Sequence, residues 1–499
     1  MPEISSESRA PFAFDNSYAR ELEGFYVPYE PRPAAKPKLL RFNDGLAEEL
    51  QLEVAGLDDA ALARLFSGGE LPVGAAPLAQ AYAGHQYGGF VPQLGDGRAM
   101  LLGEVIDRHG RRRDIAFKGS GPTAFSRGGD GKAAVGPVLR EYLLGEAMHA
   151  LGIPTTRALA AVATGEPVYR ERALPGAVLT RVAASHVRVG TFQFFAMRGD
   201  REKLERLADY VIARHEPQLI GRDDRYLELL RAVVAKQAKL IAQWMLVGFV
   251  HGVMNTDNMA ISGETIDYGP CAFMEAYGLG TVFSSIDHGG RYAYGRQPRI
   301  AVWNLSRFAE CLLPLIDAES PERAVPAATA VLEEFEPLYL AAWHAGLRAK
   351  LGFATAEDDD VALANDWLTL LEANQVDFTL AWRRLADATA GDVAPLERLF
   401  QDRPALHAWL ERRQARLARE AGPADAAARD MRRVSPIYIP RNERVEAALA
   451  AASDSGDLGP FEDLLAAVTK PFDERPGLER FAEPAPKQFT SCYRTFCGT

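Results

Sequence analysis

Cysteine is scarce in this chain. Four of the 499 residues are cysteines, namely Cys271, Cys311, Cys492 and Cys497. Secreted domains built on disulfides are far denser in cysteine, so this count excludes a disulfide framework and favours a reducing compartment. We therefore expect a cytoplasmic protein.

Long hydrophobic runs are also missing. The most apolar stretch, residues 240–253, is interrupted by Gln243, Gly248 and His251, whereas a membrane-spanning helix needs about 20 apolar residues. Residues 1–16 lack the basic start and apolar centre of a signal peptide. We expect no membrane segment and no cleaved leader, and residues 240–253 predict a buried helix that runs into a loop.

Basic residues are outnumbered, since 56 Lys and Arg against 67 Asp and Glu give a net charge of −11. Surplus negative charge repels the phosphates of nucleic acids and anionic membranes, so neither is an expected partner. With 47% hydrophobic and 25% charged residues, the chain is not collagen-like or wholly disordered. Its length suits about two to four domains, or one large enzyme core with extensions.

Glycine and proline mark the N-terminal organisation. The first 40 residues are rich in proline and aromatic residues without a regular period, which predicts an extension that wraps another part of the surface. Glycine is dense over residues 81–132. Within that region two alternating runs, 98–106 and 113–118, flank a segment that contains Gly110 and predict a β-hairpin.

Helical patterns begin at about Pro137 and dominate the chain beyond Asp200. One helix is predicted over residues 138–151, stopped by Gly152 and Pro154, and a long one over residues 226–250. Residues 417–433 indicate an exposed helix or a connector, and the last 30 residues look irregular. No internal repeat is present.

Lys118 ends the second run of the predicted hairpin. Ile115 and Phe117 share one face of that strand, and Lys118 shares the other face with Asp114 and Ala116. A lysine at this position can reach a phosphate, although a solvated edge lysine is the commoner case for any single residue.

Glu141 in the following helix strengthens the first interpretation. It lies on the same side as Leu144 and Met148, so its carboxylate faces an apolar surface and needs a cationic partner. A strand-end lysine, a glycine-rich connection and a glutamate on the next helix follow the order of the lysine–glutamate pair in protein kinases.

A candidate metal site follows the long helix. Residues 251–258 read HGVMNTDN and residues 267–269 read DYG. If residues 259–266 form two strands that turn at Ser262-Gly263, Asn258 and Asp267 face each other about 5 Å apart. An amide oxygen and a carboxylate can share Mg²⁺, as the equivalent pair does in protein kinases. A polar hairpin with solvated side chains is the alternative.

One departure from kinases concerns the catalytic base. The kinase pattern H-R-D-L-x-x-x-N places its aspartate where this chain has Val253. Asp257, directly before Asn258, is the one carboxylate within the loop. It is therefore the candidate that accepts a proton from an attacking hydroxyl.

Other loops offer candidate phosphate contacts. Residues 95–98 (GDGR) precede the first strand of the hairpin and are equally compatible with a plain turn. Arg181 and Arg188 lie further along, and a surface arginine is the commoner case for either residue taken singly. A Walker A loop is excluded, because Lys132 is followed by Ala133 instead of Ser or Thr.

Several of these segments together resemble one known family. They are GHQYGGFVPQLGDGRAMLLGE, KGSGPTAFSRGGDGKA, LREYLLGEAMHALGIPTTRALA, HGVMNTDNM and IDYGP. The chain is similar over about residues 81–287, and more loosely through VSPIYIPRN at residues 434–442, to the selenoprotein O family of protein adenylyltransferases. The resemblance implies an α+β, protein-kinase-like two-lobed fold that binds ATP in a flipped orientation. A protein hydroxyl would attack the α-phosphate, giving an AMP-modified protein and pyrophosphate.

The resemblance also implies roles for individual residues. The nucleotide contacts fall on Gly95, Gly97, Arg98, Lys118, Asp130, Gly131, Arg181 and Arg188. Glu141 would hold Lys118, and Asp257 would accept the proton. Asn258 and Asp267 would bind Mg²⁺ or Mn²⁺.

The expected organisation is one catalytic unit with additions at both ends. Residues 1–80 form an N-terminal extension, 81–175 the N-lobe, 176–410 the helical C-lobe and 411–499 a C-terminal extension. Alternatives to AMP transfer are UMP transfer from UTP, γ-phosphate transfer by a kinase, and a pseudokinase scaffold without chemistry. A regulatory disulfide among Cys271, Cys492 and Cys497 stays open, with a buried reduced thiol as the commoner state of any one of them.

Overall fold

A computed structural model describes residues 11–496 of the chain; Cys497 lies outside this range. Over the described residues the strands are β1 (Tyr26–Pro28), β2 (Lys38–Phe42), β3 (Leu78–Gln80), β4 (Gly84–Gln86), β5 (Gly89–Val91), β6 (Ala99–Ile106), β7 (Arg112–Lys118), β8 (Ala133–Ala134), β9 (Arg157–Tyr169), β10 (Ala173–Ala183), β11 (Phe249–Val250) and β12 (Ala272–Phe273).

Helices make up most of the chain after residue 189. The α-helices are α1 (Ser17–Glu21), α2 (Asp44–Glu49), α3 (Asp59–Leu65), α4 (Val135–Ala150), α5 (Val189–Ala196), α6 (Arg201–His215), α7 (Arg225–Leu246), α8 (Gln297–Ile316), α9 (Pro321–Glu333), α10 (Phe335–Leu351), α11 (Asp360–Asn374), α12 (Phe378–Thr389), α13 (Ala394–Glu397), α14 (Arg403–Leu417), α15 (Ala424–Val434), α16 (Asn442–Asp454), α17 (Gly459–Val468), α18 (Glu479–Ala482) and α19 (Lys487–Cys492). Short 3₁₀ turns cover Pro217–Leu219, Thr256–Asn258 and Tyr294–Arg296. The expected α+β class and the helical dominance after Asp200 are confirmed.

The main sheet has eight strands in the order β1-β3-β6-β7-β10-β9-β2, with β8 paired to β10. Its neighbouring strands are antiparallel. The predicted hairpin is confirmed as β6 and β7, which pair from Ala99 opposite Lys118 to Ile106 opposite Arg112.

The two faces of this sheet have different environments. Ile115 and Phe117 are fully buried, as the alternation in β7 predicts. They lie in an apolar cluster with Leu62 of α3 and with Phe66, which follows that helix. The opposite face, which carries Lys118, turns towards α4. That helix packs on β9 and β10 and buries the apolar side that includes Leu144.

The N-terminal residues are more integrated than the sequence suggested. Instead of only wrapping the surface, they supply strands at both ends of the sheet: β1 pairs with β3, and β2 pairs with β9. Tyr18, Leu22 and Phe25 are buried in the main core. Strands of three to five residues whose partners lie far along the chain have little local signal, which is why the pattern missed them.

The long predicted helix ends earlier than residue 250. α7 stops at Leu246, and Gly248 adopts a left-handed backbone with φ of +73°. A Cβ on Gly248 would lie 2.9 Å from the ring of Phe378, so glycine is needed both for the conformation and for the packing. The chain then forms β11 and enters the loop that carries the candidate catalytic residues.

The C-terminal region lies against the helical part of the molecule. Residues 417–433 contain both expected features, since α14 ends at Leu417 and α15 follows a short connector. The irregular last segment is interrupted by α18 and α19. Arg441 anchors this region: its fully buried guanidinium pairs with Glu275 and Asp377, 2.6 Å from each.

Candidate active site

A cavity of about 1620 Å³ lies between the sheet, α4 and the loops that precede β12. It is lined by all of the predicted site residues: Gly95, Gly97, Arg98, Lys118, Asp130, Gly131, Glu141, Arg181, Arg188, Asp257, Asn258 and Asp267. Residues spread over more than 170 positions of sequence are thus brought to one cavity.

Lys118 and Arg181 reach the cavity from adjacent strands. Arg181 on β10 is paired with Ala116 on β7, and Ala116 is two residues from Lys118. Because side chains alternate along a strand, Lys118 and Arg181 project from the same face of the sheet. Both are largely buried, Arg181 with only 4% of its side chain exposed.

Two carboxylates neutralise these cations. Lys118 Nζ donates to Glu141 Oε2 at 2.6 Å and to Asp267 Oδ1 at 2.9 Å. Arg181 Nε donates to Glu141 Oε1 at 2.7 Å, and its Nη2 donates to Asp267 Oδ1 at 2.5 Å. The expected Lys118–Glu141 pair is therefore present within a larger cluster.

The cluster sets the ionisation of both acids. Burial by itself would raise the pKa of Asp267, but Arg181, Lys118 and Arg188 outweigh it and hold that pKa well below its usual value. Burial likewise opposes ionisation of Glu141, whose pKa is nevertheless lowered by Arg181 and Lys118. Both groups are carboxylates at neutral pH.

Arg188 joins the cluster to residues 251–258, which we term the candidate catalytic loop. Its guanidinium lies 3.8 Å from Asp267 Oδ2 and donates to the backbone carbonyl of Asp257 at 3.2 Å. The ring of Tyr82 lies beneath it at 4.4 Å, a cation–π arrangement. Arg188 is 4% exposed, so the surface-arginine alternative is wrong for it, as it is for Arg181.

The predicted hairpin over residues 259–266 is wrong. The segment is a loop in which Ala260 bridges to Arg188 and Thr265 bridges to Thr155. Bridges to distant segments replace the local ladder, so Asn258 and Asp267 are not paired across a hairpin. The two residues nevertheless line the same cavity, and Asp267 has a left-handed backbone with φ of 64°.

His251 holds the two halves of this loop together. Its Nε2 donates to the carbonyl of Ile266 at 2.9 Å, and its Nδ1 accepts from the amide of Val253 at 3.4 Å. The ring is fully buried and stacks on Trp244. It thereby fixes residue 266, next to Asp267, relative to the start of the candidate catalytic loop.

Asn258 and Asp257 present oxygen atoms to the cavity. Asn258 Nδ2 donates to the carbonyl of Val253 at 2.9 Å. This hydrogen bond fixes the orientation of the amide, and its oxygen is left as an acceptor. Asp257 is 8% exposed, and burial raises its pKa to about 6. Val253, which stands at the aspartate position of the kinase sequence pattern, is buried.

The glycine loops have a packing role that the sequence did not reveal. A Cβ on Gly95, whose φ is +71°, would lie 2.3 Å from the ring of Phe125, and one on Gly97 would lie 2.9 Å from the carbonyl oxygen of Phe125. Close contact between loops 95–98 and 119–131 therefore requires these glycines. Arg98 has no ion pair with any residue in the described range 11–496.

Asp130 is engaged on the outer edge of the cavity. Its carboxylate pairs with Arg170 at 2.9 Å and accepts from the backbone amide of Lys132 at 3.0 Å. Gly131, with φ of +64°, packs directly against the Gly121 carbonyl. These contacts order the loop that forms one wall of the cavity.

The sequence pattern did not predict Tyr82, Gln86 and Arg140 among the residues that line the cavity. Tyr82 and Gln86 lie in the glycine-dense segment, where GHQYGG was visible but assigned no role. Arg140 precedes Glu141 and donates to the carbonyls of Gly269 and Cys271, at 3.1 and 2.5 Å. No local pattern predicts such contacts with residues about 130 positions away.

Cys271, Cys311 and Cys492 lie within the described residues and form no disulfide with one another. Cys271 and Cys311 are buried, Cys492 is exposed, and the described residues contain them as free thiols. Burial raises the pKa of Cys271 to about 11, which makes it a poor nucleophile. The adjoining tail is held by Thr495, whose hydroxyl donates to the carbonyl of Pro270 at 2.7 Å.

A buried cluster of cations and carboxylates beside a candidate base is typical of enzymes that transfer phosphoryl or nucleotidyl groups. Curated relatives of this chain are named as enzymes that transfer nucleotidyl groups. The chain is 63% identical over 475 residues to the protein nucleotidyltransferase YdiU of Chromobacterium violaceum, covering 95% of this chain and 99% of that protein. It is 62% identical over 489 residues to that of Cereibacter sphaeroides, covering 98% and 100%.

The family model for protein adenylyltransferase SelO matches residues 9–469. The chain therefore belongs to the SelO family and is a protein nucleotidyltransferase. The resemblance noted from the sequence motifs is confirmed. Within the described residues, no helix is both long and apolar enough to cross a membrane.

Proposed function

We propose that this nucleotidyltransferase moves AMP from ATP to hydroxyl side chains of proteins and releases pyrophosphate. The observation that carries the proposal is the contact of Lys118, Arg181 and Arg188 with Asp267, at 2.9, 2.5 and 3.8 Å. The three cations supply positive charge for a polyphosphate, and the half-buried carboxylate among them supplies an oxygen ligand for its metal.

The three cations suit the leaving group. As the bond between the α-phosphorus and the bridging oxygen breaks, negative charge accumulates on the pyrophosphate. Lys118, Arg181 and Arg188 would stabilise that charge through contacts with the β- and γ-phosphates. Glu141 would keep Lys118 and Arg181 in place, since it contacts both. Arg98 would add a further contact with the nucleotide.

Asn258 and Asp267 are the proposed ligands of Mg²⁺ or Mn²⁺. No group of three or more His, Cys, Asp or Glu side chains in residues 11–496 could hold a metal. A carboxylate and an amide oxygen nevertheless fit a hard cation that completes its shell with water and phosphate oxygens. Such an ion, when bound, neutralises phosphate charge and orients the α-phosphorus for in-line attack.

Asp257 is the proposed base. It would accept the proton of the acceptor hydroxyl while the hydroxyl oxygen bonds to the α-phosphorus. A kinase reaction is disfavoured because Val253 replaces the aspartate that kinases use. ATP would be oriented with its α-phosphate towards Asp257. The fold that we propose is protein-kinase-like and two-lobed, with lobes at residues 81–175 and 176–410 and extensions at residues 1–80 and 411–499.

The position of the label in ATP tests this proposal. The protein is incubated with Mg²⁺ or Mn²⁺, a protein mixture, and ATP labelled at either the α- or the γ-phosphate. We expect protein-bound label from α-labelled ATP alone. Label from the γ-position would mean a kinase, and label from neither would mean a nucleotide-binding scaffold. A parallel incubation with α-labelled UTP reports the nucleotide preference.

A further inference from the structure

The β4–β5 hairpin lies directly on the candidate catalytic loop. Its backbone amides supply the anchoring contacts: the amide of His85 donates to Thr256 Oγ1 at 2.7 Å, and that of Tyr87 donates to Asn255 Oδ1 at 3.2 Å. Neither bond uses the side chain of Gln86, which lies between these two residues and faces the same loop. The hairpin is thus attached to the loop without Gln86.

The side chain of Gln86 makes a different contact. Its Nε2 donates to Asp257 Oδ2 at 3.2 Å. Gln86 is half-buried and lines the cavity beside Asp257. Its amide therefore acts on the carboxylate and not on the attachment of the hairpin.

The two oxygens of Asp257 are not equivalent. Oδ1 is closed off from solvent and has no hydrogen-bond partner within the described part of the chain. It faces Gly84, where an added Cβ would lie 2.7 Å from Oδ1. A hydroxyl group cannot approach Oδ1 from the cavity, so Oδ2 is the oxygen available to an acceptor.

We propose that Gln86 is a positioning residue, which holds the Asp257 carboxylate so that Oδ2 faces the acceptor hydroxyl. The inference rests on the proposed function of Asp257. A carboxylate oxygen has two lone pairs, so Oδ2 can accept from Gln86 and from the incoming hydroxyl together. Without the amide, the carboxylate is free to rotate about χ2, and the reacting geometry is lost.

A double-mutant cycle tests this role. Gln86→Met keeps the length of the side chain and removes the donor. We expect it to lower kcat by about 10- to 100-fold and to leave the KM for nucleotide unchanged, because Gln86 contacts the base and not the phosphate cations. In an Asp257→Asn background, Gln86→Met should lower the residual kcat no further.

Controls separate positioning from folding. Gln243→Met, on α7 and remote from the cavity, should retain wild-type kcat. Gln86→Glu keeps size and polarity but sets a second carboxylate against Asp257, and its kcat should fall at least as far as that of Gln86→Met.

A wild-type kcat in Gln86→Met, or an equal fold loss with and without Asp257, would overturn the inference. Failure of the proposed function would look different, since the wild-type protein itself would then transfer no α-label.

Discussion

The ammonium group of Lys118 lies 2.9 Å from the carboxylate of Asp267, although 149 residues separate them in the sequence. In the described structure the proposed phosphate-binding cation and the proposed metal ligand neutralise each other. Binding of a metal and a polyphosphate would exchange these partners, with the cation turning to phosphate and the carboxylate to the metal. The site therefore keeps its charges satisfied before substrate arrives.

Lys118→Ala should reduce AMP transfer strongly while leaving the protein folded. Glu141 keeps Arg181 as a partner at 2.5 Å, so no carboxylate is left buried without a cation. The variant lacks one of the cations proposed to stabilise the pyrophosphate leaving group, and this loss should lower kcat by roughly 100- to 1000-fold. Transfer of α-label and the melting temperature are measured together. The matched control is Lys203→Ala, which removes a lysine paired with Asp200 away from the cavity. Undiminished transfer by Lys118→Ala would contradict its role.

Asp267→Asn should abolish metal-dependent transfer. Asparagine tolerates the left-handed backbone of residue 267 (φ 64°) better than alanine does, so the substitution tests the charge with little strain. We expect a loss of roughly three orders of magnitude or more. Chelation should abolish wild-type transfer, and added Mg²⁺ or Mn²⁺ should restore it. Asp463→Asn, at a surface ion pair with Arg480, serves as the control. Transfer by wild-type protein in excess chelator would refute the metal site.

Asp257→Asn should lower kcat without weakening nucleotide binding. The substitution preserves shape but removes the proton acceptor, and general-base catalysis contributes about 10²- to 10⁴-fold. Nucleotide affinity, measured by calorimetry, should match that of the wild-type protein because Lys118, Arg181 and Arg188 remain. A variant that turns over at the wild-type rate would assign the base elsewhere.

Lys350 should make stability depend on pH. It is buried, its Nζ donates to the Val434 carbonyl at 2.9 Å, and burial lowers its pKa to about 7. The unfolded chain has a lysine pKa of about 10.4, so it binds more protons than the folded protein between these values. The contribution of Lys350 to the free energy of unfolding therefore rises with pH across that window, because folding requires the loss of a proton there.

Lys350→Met removes this dependence. The melting temperature of the variant minus that of the wild-type protein should be larger at pH 7 than at pH 9. Other titrating groups are common to the two proteins and cancel in the difference. A difference in melting temperature that stays constant with pH would show that Lys350 does not titrate in this range.

The sequence predicted those parts of the site that follow from local periodicity. Lys118 was placed by alternation in β7 and Glu141 by the apolar side of α4, and both reach the cavity. The pairing of residues 259–266 was mispredicted because their bridges are to Thr155 and Arg188, which no local rule anticipates. Gln86 was missed for the same reason, since its role depends on contact with Asp257, 171 positions away.

The proposed function depends above all on the orientation of ATP, which a crystal structure with Mg²⁺ and an ATP analogue that resists cleavage between the α- and β-phosphates would reveal. We expect the α-phosphate beside Asp257, the metal held by Asn258 and Asp267, and the β- and γ-phosphates against Lys118, Arg181 and Arg188. A complex with the γ-phosphate beside Asp257 and the α-phosphate remote from it would rule out AMP transfer by this site.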